Sequence, residues 1–227
     1  MDPIRTALVT GANRGIGRAT AAALHALGWR VVLAARDADE AERAAASLGP
    51  GASGIALDVT CPRSVARAAG RAGEVDALVN NAGVLLDAGA DPLSVPIEVV
   101  RATLEVNVLG AWRVCRQFVP GMVRRGWGRV VFVSSGTGAF SNGLFTGTPA
   151  YSLSKTAVNG LTTLLAAHTK GTGVLVNAVN PGRTRTRMMP GAERPPEEAA
   201  GDIVHALTLP DDGPTGVFLR ERRVTDW

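Results

Sequence analysis

A chain of 227 residues, 46% hydrophobic and 19% charged, carries enough apolar material for a sizeable core, and this balance excludes a disordered chain. Its 24 basic against 20 acidic side chains leave a formal net charge of +4, but the arginines are scattered, so nucleic acid is not an expected partner and a small polyanion is. No apolar stretch reaches the roughly 20 residues of a membrane helix, and the opening MDPIRTALVTG lacks the regions of a signal peptide, so no membrane partner is expected and the expected location is cytoplasmic.

Short β-branched runs recur along the chain: TALVT at 6–10, WRVVLAA at 29–35, SGIALDV at 53–59, VDALVN at 75–80, GRVVFVSS at 128–135 and GVLVNAVN at 173–180. Ala- and Arg-rich segments with helical spacing separate them. Continuous apolar runs between helices predict parallel strands buried on both faces, and right-handed crossovers then place helices on both sides. The predicted class is α/β, a doubly wound parallel sheet. No linker, composition break or repeat divides the chain, so residues 1–227 are expected to form a single domain. Cys61 and Cys115 are too few for a disulfide framework and read as reduced thiols, Cys115 inside a helix.

Two Gly-rich segments interrupt the alternation, at 136–149 and 181–198. Both follow the carboxyl ends of predicted strands, where open α/β sheets place their ligands, which makes 136–149 and 183–198 the expected substrate loops. Phe140, Leu144, Phe145, Met188 and Met189 fall there, as an apolar pocket or as loop residues packed on the scaffold.

Thr10-Gly11-Ala12-Asn13-Arg14-Gly15-Ile16-Gly17 joins the first strand to a helical segment. Glycines let the backbone approach a pyrophosphate, and the helix start offers free N–H groups to it. The element suits a dinucleotide, although an ordinary βα turn has the same ingredients. Arg36 lies 21 residues beyond Gly15, where a carboxylate would favour NAD and an arginine accommodates the 2′-phosphate of NADP. Arg14 is a second cation on the same side, so the expected cofactor is NADP(H); Asp37 is the rival that would favour NAD(H). Asp58 and Val59, ending the third strand, are placed to hold the adenine, with Asp58 as a cap of the next helix the alternative.

Tyr151 and Lys155 lie four residues apart in YSLSKTAVNGLTTLLAAH, hence on one face of a helix, one turn apart. An ammonium at roughly 4 Å, at an effective dielectric of about 20, stabilises a phenolate by up to ~4 kcal/mol. That is enough to bring the phenol towards proton exchange at neutral pH. Any surface helix with this spacing shares the geometry, so the pair draws its weight from Asn80-Asn81-Ala82-Gly83 ending the fourth strand, Asn107 in LEVNVLG within the next helix and Ser134-Ser135 ending the fifth strand.

With these in order, and with Asn180-Pro181-Gly182 after them, nearly the whole chain resembles the short-chain dehydrogenase/reductase family in its single-domain, carbonyl-reductase-like form. The resemblance implies a Rossmann-like fold and hydride exchange between a nicotinamide and a carbonyl/alcohol substrate, without a metal. It implies that Ser135 binds the substrate carbonyl, that Tyr151 is acid in reduction and base in oxidation, and that Lys155 binds the ribose and lowers the tyrosine pKa. Asn107 would anchor a water leading to Lys155. Asn81, Ala82 and Gly83 would line the adenosine-ribose side, and Pro181, Gly182, Thr184 and Thr186 the nicotinamide end. A homodimer is implied through the segments around 98–119 and 151–169.

The chain departs from the family pattern in two places. Ser135 and Tyr151 are 16 residues apart, a longer gap than usual, which leaves Ser134 and Thr137 as alternative carbonyl partners. RTRTRMM follows Pro181-Gly182, and in an extended run Arg183, Arg185 and Arg187 share a face, gripping phosphates or an acidic substrate, or simply facing solvent. His25, His168 and His205 read as helix-surface residues. A cofactor-bound sensor without turnover is the rival from another class, but its mark would be loss of Ser, Tyr or Lys, and all three are present. A sugar-nucleotide epimerase or dehydratase fits poorly, because too little chain follows residue 181.

Overall fold

Period-two alternation in the first strand, β1 (Thr6–Thr10), divides the core in two: Leu8 packs with one apolar cluster, while Ala7 and Val9 pack with the other. The computed structural model describes residues 4–227, apart from the side chain of Asn142; residues 1–3 of the expected domain lie outside the described residues. On the Leu8 side sit α3 (Pro62–Ala72), α5 (Ala111–Arg125) and α6 (Pro149–His168), through Val65, Val114, Phe118, Val158 and Leu161. On the Val9 side sit α1 (Gly15–Ala26), α2 (Ala38–Ala46) and α7 (Pro196–Leu207), through Leu24, Ala44, Ala45, Ile203 and Leu207. α4 (Ile97–Leu104) leads into α5 and contacts α6.

The remaining strands are β2 (Arg30–Ala35), β3 (Ala52–Ala56), β4 (Ala77–Asn80), β5 (Gly128–Val133), β6 (Val174–Asn180), β7 (Phe218–Arg220) and β8 (Arg223–Thr225). They form one sheet in the order β3-β2-β1-β4-β5-β6-β7-β8, parallel except for the last pair. The doubly wound, Rossmann-like single-domain class is therefore the observed one. The order reverses between β1 and β4, and the carboxyl ends of those two strands open the crevice in which such sheets hold a ligand.

Three features differ from the sequence expectations. The third strand ends at Ala56, because Asp58 turns the chain out of the sheet by accepting from the Thr60 N–H (2.9 Å) and hydroxyl (2.7 Å). The β7–β8 hairpin carries no turn signal: Glu221 and Arg222 adopt φ of 50° and 65°, positions where such turns favour Asn and Gly. The third is at Asn107, expected within an ordinary helix. It lies in a π-helical segment, Glu105–Gly110, between α4 and α5, a widened turn of the kind that recurs at functional sites.

Candidate active site

The crevice is bolted at its floor. The Thr10 hydroxyl, 1% exposed, donates to the Val79 carbonyl (3.2 Å) and accepts from the N–H groups of Asn81 and Ala82 (both 3.0 Å). Asn81 answers with its Nδ2, which donates to the carbonyls of Thr10 (2.8 Å) and Gly11 (3.1 Å). The ends of β1 and β4 are thus crosslinked at the switch point.

Above this floor a cleft of about 1270 Å³ runs from the glycine loop to the loop after β6. The backbone there forms a cradle: a Cβ on Gly17 would stand 2.5 Å from Asn81 Nδ2 and 2.6 Å from the Gly11 carbonyl, so only glycine lets α1 start this close. No side chain caps α1, leaving its first N–H groups and positive dipole end for an anion. Six arginines (Arg14, Arg36, Arg183, Arg185, Arg187 and Arg220) and Lys155 face three carboxylates around the cleft. A cradle without side chains, an uncapped helix start and a cationic rim fit a dinucleotide.

Asp37, the rival of Arg36, is engaged as the N-cap of α2, its Oδ1 accepting from the Glu40 N–H (2.9 Å). Asp58 is not a cap of α3, whose N-cap position is Cys61. The two Thr60 hydrogen bonds hold its carboxyl below the usual carboxylate range, with the Arg36 charge a smaller contribution. Glu40, which the sequence reading missed, also lines the cleft and accepts from Asn13 Nδ2.

At the far end the structure brings together the residues expected to be catalytic. Ser134 turns inward, donating to Asn159 Oδ1 (2.6 Å), and is 1% exposed. Ser135 lines the cleft beside Tyr151. Thr137 supports it, its hydroxyl donating to Ser135 Oγ (3.0 Å) and its N–H reaching the same oxygen at 3.3 Å. Gly138 brings this turn against α6, since a Cβ there would stand 2.7 Å from Lys155 Cβ.

Lys155 Nζ donates to the Val133 carbonyl (2.7 Å) and lies 5.3 Å from the centroid of the Tyr151 ring. Burial pulls the ammonium down to about 8. Burial also pushes the Tyr151 phenol up to about 12, opposed by the Ser135 hydrogen bond. This differs from the expectation of a phenol drawn down by its lysine: the ammonium faces the ring and a backbone carbonyl, and desolvation of the phenolate dominates. At neutral pH the Tyr151 phenol keeps its proton.

Eighteen of the expected site residues line the cleft: Gly11, Asn13, Arg14, Gly15, Ile16, Arg36, Asp58, Val59, Asn81, Ala82, Gly83, Ser135, Tyr151, Lys155, Pro181, Gly182, Thr184 and Thr186. Thr10, Gly17 and Asn107 stand behind its wall. Asn107, 2% exposed, donates from Nδ2 to the Val84 carbonyl and Ser154 Oγ (both 2.9 Å) and accepts from the Val84 N–H (2.8 Å). Its side chain joins the chain after β4 to α6.

In the last loop Thr184 and Thr186 alternate with exposed Arg183, Arg185 and Arg187, the period-two arrangement expected of an extended run. Phe145, Met188 and Met189 line the cleft; Phe140 and Leu144 do not. Arg194, another residue the sequence reading missed, clamps this loop. It donates to the Pro181 carbonyl (2.6 Å) and to Asp202 Oδ2 of α7 (2.7 Å), and Asp202 is 4% exposed. Its one sequence signal was acidic residues four and eight positions later.

Comparison with known proteins agrees with this geometry. A family model described as short chain dehydrogenase matches residues 5–196. The 1-deoxy-11-beta-hydroxypentalenate dehydrogenase of Streptomyces exfoliatus is 38% identical over 205 residues, spanning 87% of this chain and 74% of that protein. The 3-oxoacyl-(acyl-carrier-protein) reductase FabG of Escherichia coli is 34% identical over 188 residues, spanning 81% and 75%. Among solved structures, a short chain dehydrogenase/reductase family protein superposes with a TM-score of 0.87 at 34% identity, covering 95% of this chain and 94% of that one. A 3-ketoacyl-(acyl-carrier-protein) reductase from Brucella melitensis complexed with NADH gives 0.88 at 28% identity, covering 96% of each.

Proposed function

Because the chain belongs to the short-chain dehydrogenase family, we propose that it is an NADP(H)-dependent oxidoreductase interconverting a ketone or aldehyde and an alcohol. The observation that carries this reading is the placing of Tyr151, Ser135 and Lys155 together at one end of a cleft whose other end is a glycine cradle. A bound nicotinamide dinucleotide supplies the hydride in reduction and takes it in oxidation. Ser135 and Tyr151 hold the substrate oxygen from two sides, and Tyr151 delivers its proton as the oxygen gains charge. Lys155 sits one turn below with a pKa of about 8, cationic at neutral pH, and attracts the phenolate left behind. Asn107 holds α6 through Ser154, whose hydroxyl in turn donates to the Tyr151 carbonyl (2.7 Å).

The phosphate preference rests on Arg36 and Arg14 at the adenosine end, with Asp37 occupied as a helix cap. Arg36→Ala is expected to raise the NADPH dissociation constant about tenfold or more, by loss of a charge-assisted contact, and to leave NADH nearly unchanged. Equal effects on both would overturn the preference. The activity itself is tested with NADPH and a panel of ketones, aldehydes and quinones. Tyr151→Phe is expected to lower kcat by roughly 10²–10⁴, and full activity in that variant would overturn the mechanism.

We propose further that the chain pairs into a homodimer through the π-segment, α5 and α6, where Leu109, Trp112, Leu153 and Leu164 are exposed. A solution mass near 23.5 kDa would reject it. No helix among the described residues is long and apolar enough to cross a membrane.

A further inference from the structure

Helix α6 begins without a cap of its own. Thr148 stands at its N-cap position and makes no capping hydrogen bond with its side chain, and Pro149, first in the helix, has no N–H. The next two N–H groups, of Ala150 and Tyr151, are the orphan donors that a local cap would satisfy. Both are taken from far away: Asp87 Oδ2 accepts from Ala150 (2.6 Å) and from Tyr151 (3.2 Å). Asp87 is 4% exposed and its Oδ1 has no hydrogen-bond partner. A buried carboxylate with one oxygen unpaired is costly, and the positive end of the helix dipole is what compensates it.

The segment that carries Asp87 is itself held at several points. Asn107 grips both the N–H and the carbonyl of Val84. The Asp87 carbonyl accepts from the Ala90 N–H (3.0 Å), and the Gly89 N–H donates to Gly147 (2.9 Å) in the loop that leads into α6. The carboxylate therefore links this hydrogen-bonded segment to the turn that presents the phenol.

We propose that Asp87 is a positioning residue for Tyr151, fixing the first turn of α6 so that the phenol stays beside Ser135 at the end of the cleft. This rests on the reading of Tyr151 as the proton donor. Displacing reacting groups by about 1 Å costs up to ~10²-fold in rate, so a cap at this point bears on catalysis.

Tyr151 is the one tyrosine of the chain, so the absorbance of tyrosinate reports on it alone, without substrate. In the wild type it is expected to titrate well above the ordinary value of about 10, in line with burial pushing it up to about 12. Asp87→Ala opens the first turn to water and is expected to bring the titration down towards the ordinary value. Asp87→Asn keeps a carbonyl acceptor for the two N–H groups and restores most of the high titration, with circular dichroism following the fold across the pH range. In turnover, Asp87→Ala is expected to lower kcat about tenfold or more with the KM and cofactor dissociation constant little changed, and Asp87→Asn to recover most of it.

A folded Asp87→Ala variant that titrates and turns over like the wild type would overturn the proposal, as would an Asp87→Asn variant no better than Asp87→Ala. If Asp87→Ala does not fold, amide exchange in the wild type decides. The Ala150 and Tyr151 N–H groups are then expected to be protected like the interior of α6, and exchange at the rate of a frayed end would overturn the assignment. Absence of turnover on every carbonyl and alcohol tried would remove the oxidoreductase reading alone, since titration and exchange are read without substrate.

Discussion

At the glycine-loop end of the cleft the walls are strand ends and a helix start, and their crosslinks are backbone groups closed by Thr10 and Asn81. At the substrate end the walls are loops, and what holds them is a few side chains: Arg194 on the last loop, Thr137 under Ser135. The first end inherits its shape from the sheet, whose parallel ladder spans β1 through β7. The second can change its lining without disturbing that ladder, which is how a family keeps one chemistry and varies its substrates. The two ends should accordingly respond differently to the loss of one polar group.

The largest effect is expected at the floor. Thr10→Val keeps the shape of the side chain but strips the acceptor from the Ala82 N–H, at a cost of about 1–3 kcal/mol, and one of two acceptors from the Asn81 N–H, which also reaches the Val79 carbonyl (3.0 Å). With the donor to Val79 lost as well, a total loss of about 2–4 kcal/mol in urea-induced unfolding is expected. The matching change at the loop end, Thr184→Val, removes a hydroxyl that donates to the Pro181 carbonyl (3.0 Å), an oxygen that Arg194 also serves. Its expected cost is below about 1 kcal/mol. Equal costs would show that the loop is built as rigidly as the sheet.

This contrast also decides what the sequence could reveal. The glycine loop and the Tyr151–Lys155 pair are local patterns, since a tight turn or one helical turn needs residues a few positions apart. The bolt between Thr10 and Asn81 spans 71 residues, and the cap between Asp87 and Ala150 spans 63, so neither leaves a spacing to find. The choice between Ser134 and Ser135 depended on which hydroxyl is spent inside the fold, and Ser134 finds its partner, Asn159 of α6, 25 positions away. The phenol pKa depended on burial, which a helical wheel does not contain. The β7–β8 hairpin was hidden for the reverse reason: three-residue strands and a Glu-Arg turn imitate an irregular tail.

The buried Tyr–Lys pair gives stability a pH dependence in two opposite windows. Lys155 has a folded pKa of about 8 against 10.5 for the free side chain, so between these values the unfolded chain binds more protons and stability rises with pH. Tyr151 has about 12 against 10.0; between these the folded chain keeps the proton, and stability falls as pH rises. Each swing is about 3 kcal/mol at most. Urea midpoints across pH should therefore rise from about 8 and decline above about 10, and Lys155→Met should abolish the rise. A rise that survives that substitution would assign it to another group.

Arg194→Ala comes next. It releases the Pro181 carbonyl and leaves Asp202 with only Arg222, at 3.6 Å, at a cost of about 1–2 kcal/mol. The proposed catalytic groups lie just after β5 and on α6, so the expected result is a KM raised about tenfold with kcat within about threefold. A fall in kcat at constant KM would mean that the loop shapes the reacting geometry itself.

The smallest effect is expected at Thr137, and it tests the assignment of the carbonyl partner. Its hydroxyl donates to Ser135 Oγ, which leaves the Ser135 proton free to point at the Tyr151 oxygen or at a substrate carbonyl. Thr137→Val preserves the bulk and the N–H but removes the orienting bond, so kcat should fall by about fivefold, equivalent to about 1 kcal/mol. Ser135→Ala removes the donor itself and should cost about 10²-fold or more. Because Thr137 acts only through Ser135, adding Thr137→Val to Ser135→Ala should cost nothing further. If the double variant is additive, or if Thr137→Val alone matches Ser135→Ala, the threonine hydroxyl is the group that meets the carbonyl.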